Sequence, residues 1–126
     1  MDIKKMRFGM LKAKGVTEIR ERALPEMGEF DVLIKQETCN ICTTDYGQFS
    51  GLREHQGYPM AVGHEAAGIV EQVGEKVTDW KVGQRVVSDN SAHVCGVCPA
   101  CEMGDFLCCE EKVNLGLDNN TWGGGF

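Results

Sequence analysis

Cys95-Gly-Val-Cys98-Pro-Ala-Cys101, followed eight residues later by Cys109, is the arrangement in this sequence whose chemistry is easiest to read. Three thiols, each separated by two residues, let the backbone fold around a small cation and present sulfur at tetrahedral angles, and a fourth closes the shell. A closed four-thiolate shell leaves no position for a substrate. It therefore points to a structural zinc that holds together a loop with little core of its own. Two disulfides or an iron–sulfur cluster are the competing uses of such thiols, but neither requires three evenly spaced cysteines and a distant one. On spacing alone, Cys108 competes with Cys109 for the fourth place.

A second cluster joins Cys39-Asn-Ile-Cys42-Thr43-Thr44-Asp45 to Gly63-His64-Glu65, at two neighbouring strand ends. It offers thiols, hydroxyls, carboxylates and an imidazole. Thiolate and imidazole are two ligands of a catalytic zinc, whose shell takes three protein groups and keeps a fourth position for water or substrate. Taken singly these residues decide nothing, because a lone cysteine is usually a small core hydrophobe and a lone histidine a satisfied polar group.

The elements that must position these groups read as mainly β. Met6 to Leu11, Val16 to Leu24 and Asp31 to Thr38 are predicted strands. In the third, Val32, Ile34, Gln36 and Thr38 fall on one face and Leu33, Lys35 and Glu37 on the other. Thr43 to Phe49 is predicted as one or two helical turns, with Thr44 or Asp45 as N-cap. Strands follow over His64 to Val73 and Val82 to Ser88, with Gly74 and Gly83 punctuating a hairpin. The 16 glycines are spread as the turns of an all-β barrel require.

Composition bounds the rest. The 126 residues suit one domain, and 42% hydrophobic and 25% charged residues describe an ordinary globular chain. A net charge of -6 and an isoelectric point near 5.0 argue against a nucleic-acid partner. No stretch approaches the roughly 20 apolar residues of a membrane span, and the N-terminus lacks a signal-peptide run, so a soluble cytoplasmic protein is expected. Seven cysteines, an odd number, fit clustered thiols used for metal better than a secreted disulfide framework.

Read together, Gly63-His64-Glu65-Ala-Ala-Gly68, Gly74 and Val77 match the signature of the zinc-dependent medium-chain alcohol dehydrogenases, and Cys42-x-Thr44-Asp45 resembles that family's other ligand motif. The resemblance continues through Lys81-Val82-Gly83-Gln84-Arg85-Val86-Val87, the cysteine lobe at about 91–112, and Gly124-Gly125-Phe126. It implies a GroES-like, partly open β-barrel catalytic domain with short helices over residues 1–126, and a separate Rossmann domain for NAD or NADP elsewhere. In the lobe, the family's spacing selects Cys109 over Cys108, and Cys95, Cys98, Cys101 and Cys109 become the structural zinc ligands.

The resemblance further implies roles at the second cluster. Cys42 and His64 would hold catalytic zinc, with Glu65 an alternating or neighbouring ligand and a third ligand beyond Phe126. Asp45 would accept the ring N–H of His64, Thr44 would take the proton from the substrate alcohol, and Thr43 would contact the cofactor. The implied reaction is oxidation of a small alcohol to a ketone or aldehyde, or the reverse, with hydride passing to NAD(P). The full-length enzyme would be a homo-oligomer, and this stretch by itself would not turn over. Two departures stand out: Gly47 replaces a histidine that often relays the proton, where His55 in the following loop could substitute but reads as an exposed loop histidine and is not assigned the role, and Cys39 is an extra thiol expected to pack as a strand residue. Phe49, Leu52, Tyr58 and Met60 either shape the substrate pocket or belong to the core, and core is the expectation. Two other readings compete, a zinc module that organises loops without catalysis and a zinc-free quinone reductase relative with the same barrel.

Overall fold

The computed structural model describes residues 4–53, 57–116 and 124–126. His55, the substitute considered for the proton relay, lies outside them. Three strands open the chain, β1 (Lys5–Ala13), β2 (Val16–Ala23) and β3 (Val32–Asn40), followed by helix α1 (Thr43–Ser50) and the short β4 (Met60–Ala61). After β5 (Glu65–Val73) and β6 (Arg85–Val87) comes the cysteine lobe, with β7 (Ser91–His93), α2 (Pro99–Glu102), a 3-10 turn over Phe106–Cys108 and β8 (Val113–Asn114).

The strands form two three-stranded antiparallel sheets, β2-β1-β4 and β3-β5-β6, and a separate β7-β8 ribbon. The mainly β, partly open architecture matches the sequence expectation. Alternation along β1 places apolar side chains on both faces of its sheet. Phe8 and Met10 pack with Ala61 on one side, while Leu11 packs with Met60 and Val62 on the other, against Tyr58 and Phe126. Arg22 covers the first cluster, its guanidinium 5.5 Å from the Phe8 ring centre.

Three local expectations need correction. The alternation expected in β3 is broken by register shifts between Leu33 and Ile34 and between Gln36 and Thr38. Strand β6 is shorter than the predicted Val82 to Ser88 because a turn takes its start: Gln84 N–H donates to the Lys81 carbonyl, and Lys81 N–H donates to the Gln84 side chain. Among the residues expected in the core, Met60 is 1% exposed, but Leu52 is 76% and Phe49 45% exposed.

The last described residues cross beneath the strand that leads to His64. Gly125 N–H donates to Gly63 O (2.8 Å) and Phe126 N–H to Val62 O (3.3 Å), while Gly9 N–H donates to Phe126 O. Gly63 has φ +93°, and a Cβ there would sit 2.9 Å from ring carbons of Phe126. Only glycine meets both demands, so the aromatic ring packs directly against the backbone preceding His64.

Candidate metal centres

In the lobe, Cys95, Cys98, Cys101 and Cys109 bring their sulfurs within 4.8 Å of one another. Cys95 Sγ lies 3.9 Å from Cys101 Sγ and 3.6 Å from Cys109 Sγ. Sulfurs at about 2.3 Å from a tetrahedral ion stand roughly 3.8 Å apart, whereas a disulfide needs about 2.05 Å, so the spacing fits a metal shell and not a bridge. Local folding produces it. Cys98 N–H and Cys95 N–H donate to sulfurs of the cluster, and the turns after Cys101 bring Cys109 back. Cys108 is exposed outside the cluster, its thiol pKa raised by the hydrogen bond and charge of Asp105.

The thiols differ electrically. Backbone N–H groups of Val97 and Cys98 lower the pKa of Cys95 to about 7, whereas burial pushes Cys101 up to about 12. Four thiolates at this spacing require a compensating cation, which a divalent metal provides.

The second centre is built on the start of α1. Cys42 is the N-cap: its sulfur accepts from Thr44 N–H at 3.3 Å, and Asp45 Oδ2 accepts from Cys42 N–H at 3.0 Å. The expected cap at Thr44 or Asp45 is therefore displaced by two or three residues. Asp45 instead closes a capping box with a cysteine in the place usually held by serine or threonine.

Strand β5 delivers the partner. His64 Nε2 stands 3.1 Å from Cys42 Sγ, and Nδ1 stands 3.5 Å from Asp45 Oδ1, which also accepts from Gly63 N–H at 3.3 Å. The Nδ1 contact is long and misses hydrogen-bond alignment among the described residues, so it is better read as electrostatic. His64 and Asp45 are 4% and 5% exposed, and Glu65 lies at the exposed rim with its carboxylate within 4.8 Å of both Cys42 Sγ and a His64 ring nitrogen. Sulfur and nitrogen on one tetrahedral zinc are about 3.6 Å apart, so this pair fits after a small opening. Thr43 is exposed and Thr44 half-buried at the same helix end. Cys39 packs against Gly125, and burial raises its pKa.

Some features were missed by sequence reasoning. Gln48 is 0% exposed, with neither side-chain amide atom partnered among the described residues. Arg53 packs along Gly47, the glycine in the relay position. A cavity of about 330 Å³ lined by Leu11, Ile41, Tyr46, Phe49, Val62 and Phe126 lies beside Asp45. Of these features, Gly47 carried a sequence signal as a gap in the family pattern, and Phe49 as a candidate pocket residue.

Residues 28–126 match the family model of the alcohol dehydrogenase GroES-like domain. An uncharacterised zinc-type alcohol dehydrogenase-like protein of Escherichia coli, YdjL, is 58% identical over 120 residues, covering 95% of this chain and 33% of its own length. The cinnamyl alcohol dehydrogenase of Sorghum bicolor superimposes with a TM-score of 0.84 at 29% identity, covering 97% of this chain and 36% of that one. The structure of a short chain alcohol dehydrogenase of Escherichia coli CFT073, complexed with NADH, gives a TM-score of 0.74 at 30% identity over 90% of this chain and 32% of that one. The chain thus spans about a third of the length of the relatives it matches. Among the described residues no helix is long and apolar enough to cross a membrane.

Proposed function

The chain belongs to the alcohol dehydrogenase GroES-like domain family, among the zinc-dependent medium-chain enzymes, and from that premise we propose that it is the catalytic domain of an NAD(P)-dependent alcohol or polyol dehydrogenase. The observation that carries this reading is the Cys42–His64 pair at 3.1 Å, with Asp45 behind the imidazole and Thr44 beside the thiol. Residues 1–126 supply this domain, and the nicotinamide is held by a Rossmann domain in the remainder of the protein.

Cys42 and His64, with Glu65 at the rim, would hold a zinc ion that supplies Lewis acidity to a substrate oxygen. The chain's own residues do the rest. Asp45 faces Nδ1 and favours the tautomer that keeps a proton there, which leaves Nε2 free to ligate. Its second oxygen anchors the Cys42 backbone, so one carboxylate fixes both ligands. Thr44 Oγ1 would accept a hydrogen bond from the substrate hydroxyl and pass the proton on toward solvent by releasing its own, and NAD(P), when bound, would supply the hydride acceptor. Thr43, on the exposed side of the same turn, would contact the cofactor. Ile41, Tyr46 and Phe49, each exposed in this chain, form an apolar wall of the cavity beside Asp45 against which an apolar part of a substrate would pack.

Cys95, Cys98, Cys101 and Cys109 would hold the lobe through a second zinc that takes no part in the reaction. A purely structural zinc module would account for the lobe, but it gives no reason for Asp45 to tie both Cys42 and His64. Purified protein from the complete gene should reduce NAD or NADP with an alcohol or polyol from a broad panel. Absence of any alcohol-dependent reduction in a zinc-loaded, folded preparation would reject the reading.

A further inference from the structure

Helix α1 carries Thr43 and Gly47 four residues apart, with the C-cap Gly51 four residues further on, and Gly47 is also three residues from Thr44. At these spacings the four positions form one continuous patch. Each glycine in it is covered by the stem of a cation. A Cβ at Gly47 would stand 3.4 Å from Cβ, Cγ and Cδ of Arg53, and one at Gly51 would stand 2.9 Å from Cδ and 3.2 Å from Cε of Lys14. Missing side chains thus make room for two long ones laid against the helix.

Backbone hydrogen bonds fix both approaches. Arg53 N–H donates to Gly47 O at 3.0 Å, and Gly15, the neighbour of Lys14 in the β1–β2 turn, donates its N–H to Phe49 O at 2.8 Å. The two stems therefore cross α1 about one turn, or roughly 6 Å, apart. Arg7, Lys12, Arg20, Lys76 and Arg85 each pair with a glutamate; Arg53 and Lys14, like Lys4, Lys5, Lys35, Lys81 and Lys112, form no ion pair among the described residues, but they alone lie along glycines of α1. Both are exposed.

We propose that Arg53 and Lys14 form an oxyanion clamp that holds a phosphate or carboxylate group over the Gly47–Gly51 stretch of α1, on the stripe that starts at Thr43. Guanidinium offers a planar fork to two oxygens and ammonium a mobile point charge, a pairing suited to a tetrahedral or planar oxyanion. Against a net charge of -6, two anchored cations also make this patch a local attractor for anions. The clamp deepens the dehydrogenase reading in one respect: the anion arrives either on an acidic substrate or as a phosphate of the nicotinamide cofactor.

Proton–nitrogen correlation spectra of the chain, recorded during a titration with inorganic phosphate at constant ionic strength, test this directly, with chloride as control. The amides of Lys14, Gly47, Gly51 and Arg53 should shift saturably with phosphate and not with chloride. Arg53→Gln and Lys14→Gln should each weaken binding by about two- to five-fold, the scale of an exposed charge contact, and Arg53→Lys should retain more affinity than Arg53→Gln. A linear response shared with chloride, or affinity indifferent to both glutamine substitutions, would overturn the clamp. Competition then separates the sources: tighter displacement by NADP than by a sugar phosphate or sugar acid assigns the clamp to cofactor, and the reverse assigns it to substrate. Because this readout needs no turnover, saturable binding here together with inactivity of the zinc-loaded, folded protein from the complete gene would sink the enzyme reading and leave the clamp standing.

Discussion

His64 Nε2 lies 3.1 Å from Cys42 Sγ although 22 residues separate them in sequence, and Asp45 makes contact with both sides of that pair. A thiol and an imidazole held this closely, beside a carboxylate, form a metal-ready set. Cys42→Ser should therefore lower the zinc content of metal-loaded protein by about one ion per chain while leaving the lobe's ion in place. Elemental analysis reads the ratio, and an unchanged zinc content would remove Cys42 from the ligand set.

The lobe depends on its metal for a different reason. Val97, Met103 and Leu107 are all more than 70% exposed, so little apolar burial holds this segment. Replacing Cys98 with Ser should cost about 4 kcal/mol or more in the lobe's stability, whereas Cys108→Ser should cost almost nothing. Hydrogen exchange across 91–114 distinguishes the two, and equal protection in both variants would contradict a structural site.

Thiol reactivity follows from the pKa order. In metal-free protein the Cys95 thiolate is formed as pH rises through about 7, so its alkylation rate should climb through that point. Cys101, held near 12, should lag throughout the neutral range. Peptide mapping after brief alkylation at several pH values measures both, and zinc should suppress both. Equal labelling of the two cysteines at pH 7 would reject the assignment.

The lobe was legible in the sequence because its four ligands fall within 15 residues and local turns suffice to gather them. Cys42 and His64 were legible only through a family pattern, since no local rule brings a helix N-cap to the start of a distant strand. The N-cap itself was misplaced because cysteine is not among the residues that usually fill it. Gln48 illustrates what remained hidden. Polar residues are normally exposed, and its full burial is set by tertiary packing that no period in α1 announces.

That burial has a measurable consequence. Neither amide atom of Gln48 has a partner among the described residues, and an unmet buried polar group costs about 1–3 kcal/mol. Gln48→Met, close in volume and free of hydrogen-bonding demand, should raise stability by about 1 kcal/mol or more. A lower melting temperature would show that the amide is satisfied and needed.

Gly63 joins the fold to the site, which makes it the sharpest probe of how the last described residues serve the chemistry. Its φ of +93° disfavours any side chain, at a cost of about 1–3 kcal/mol, and a Cβ there would also press on Phe126. Gly63 N–H donates to Asp45 Oδ1, the same oxygen that faces His64, so a shift of this backbone moves the carboxylate and the imidazole together. Gly63→Ala should therefore lose stability and also weaken zinc binding at Cys42 and His64 more than at the lobe. Phe126→Ala in the same background should recover part of the metal affinity by relieving the contact, while leaving the backbone penalty in place. If Gly63→Ala lowers stability with zinc affinity at Cys42 and His64 unchanged, the link from Phe126 through Gly63 to the imidazole is wrong, and Asp45 alone sets the geometry of the pair.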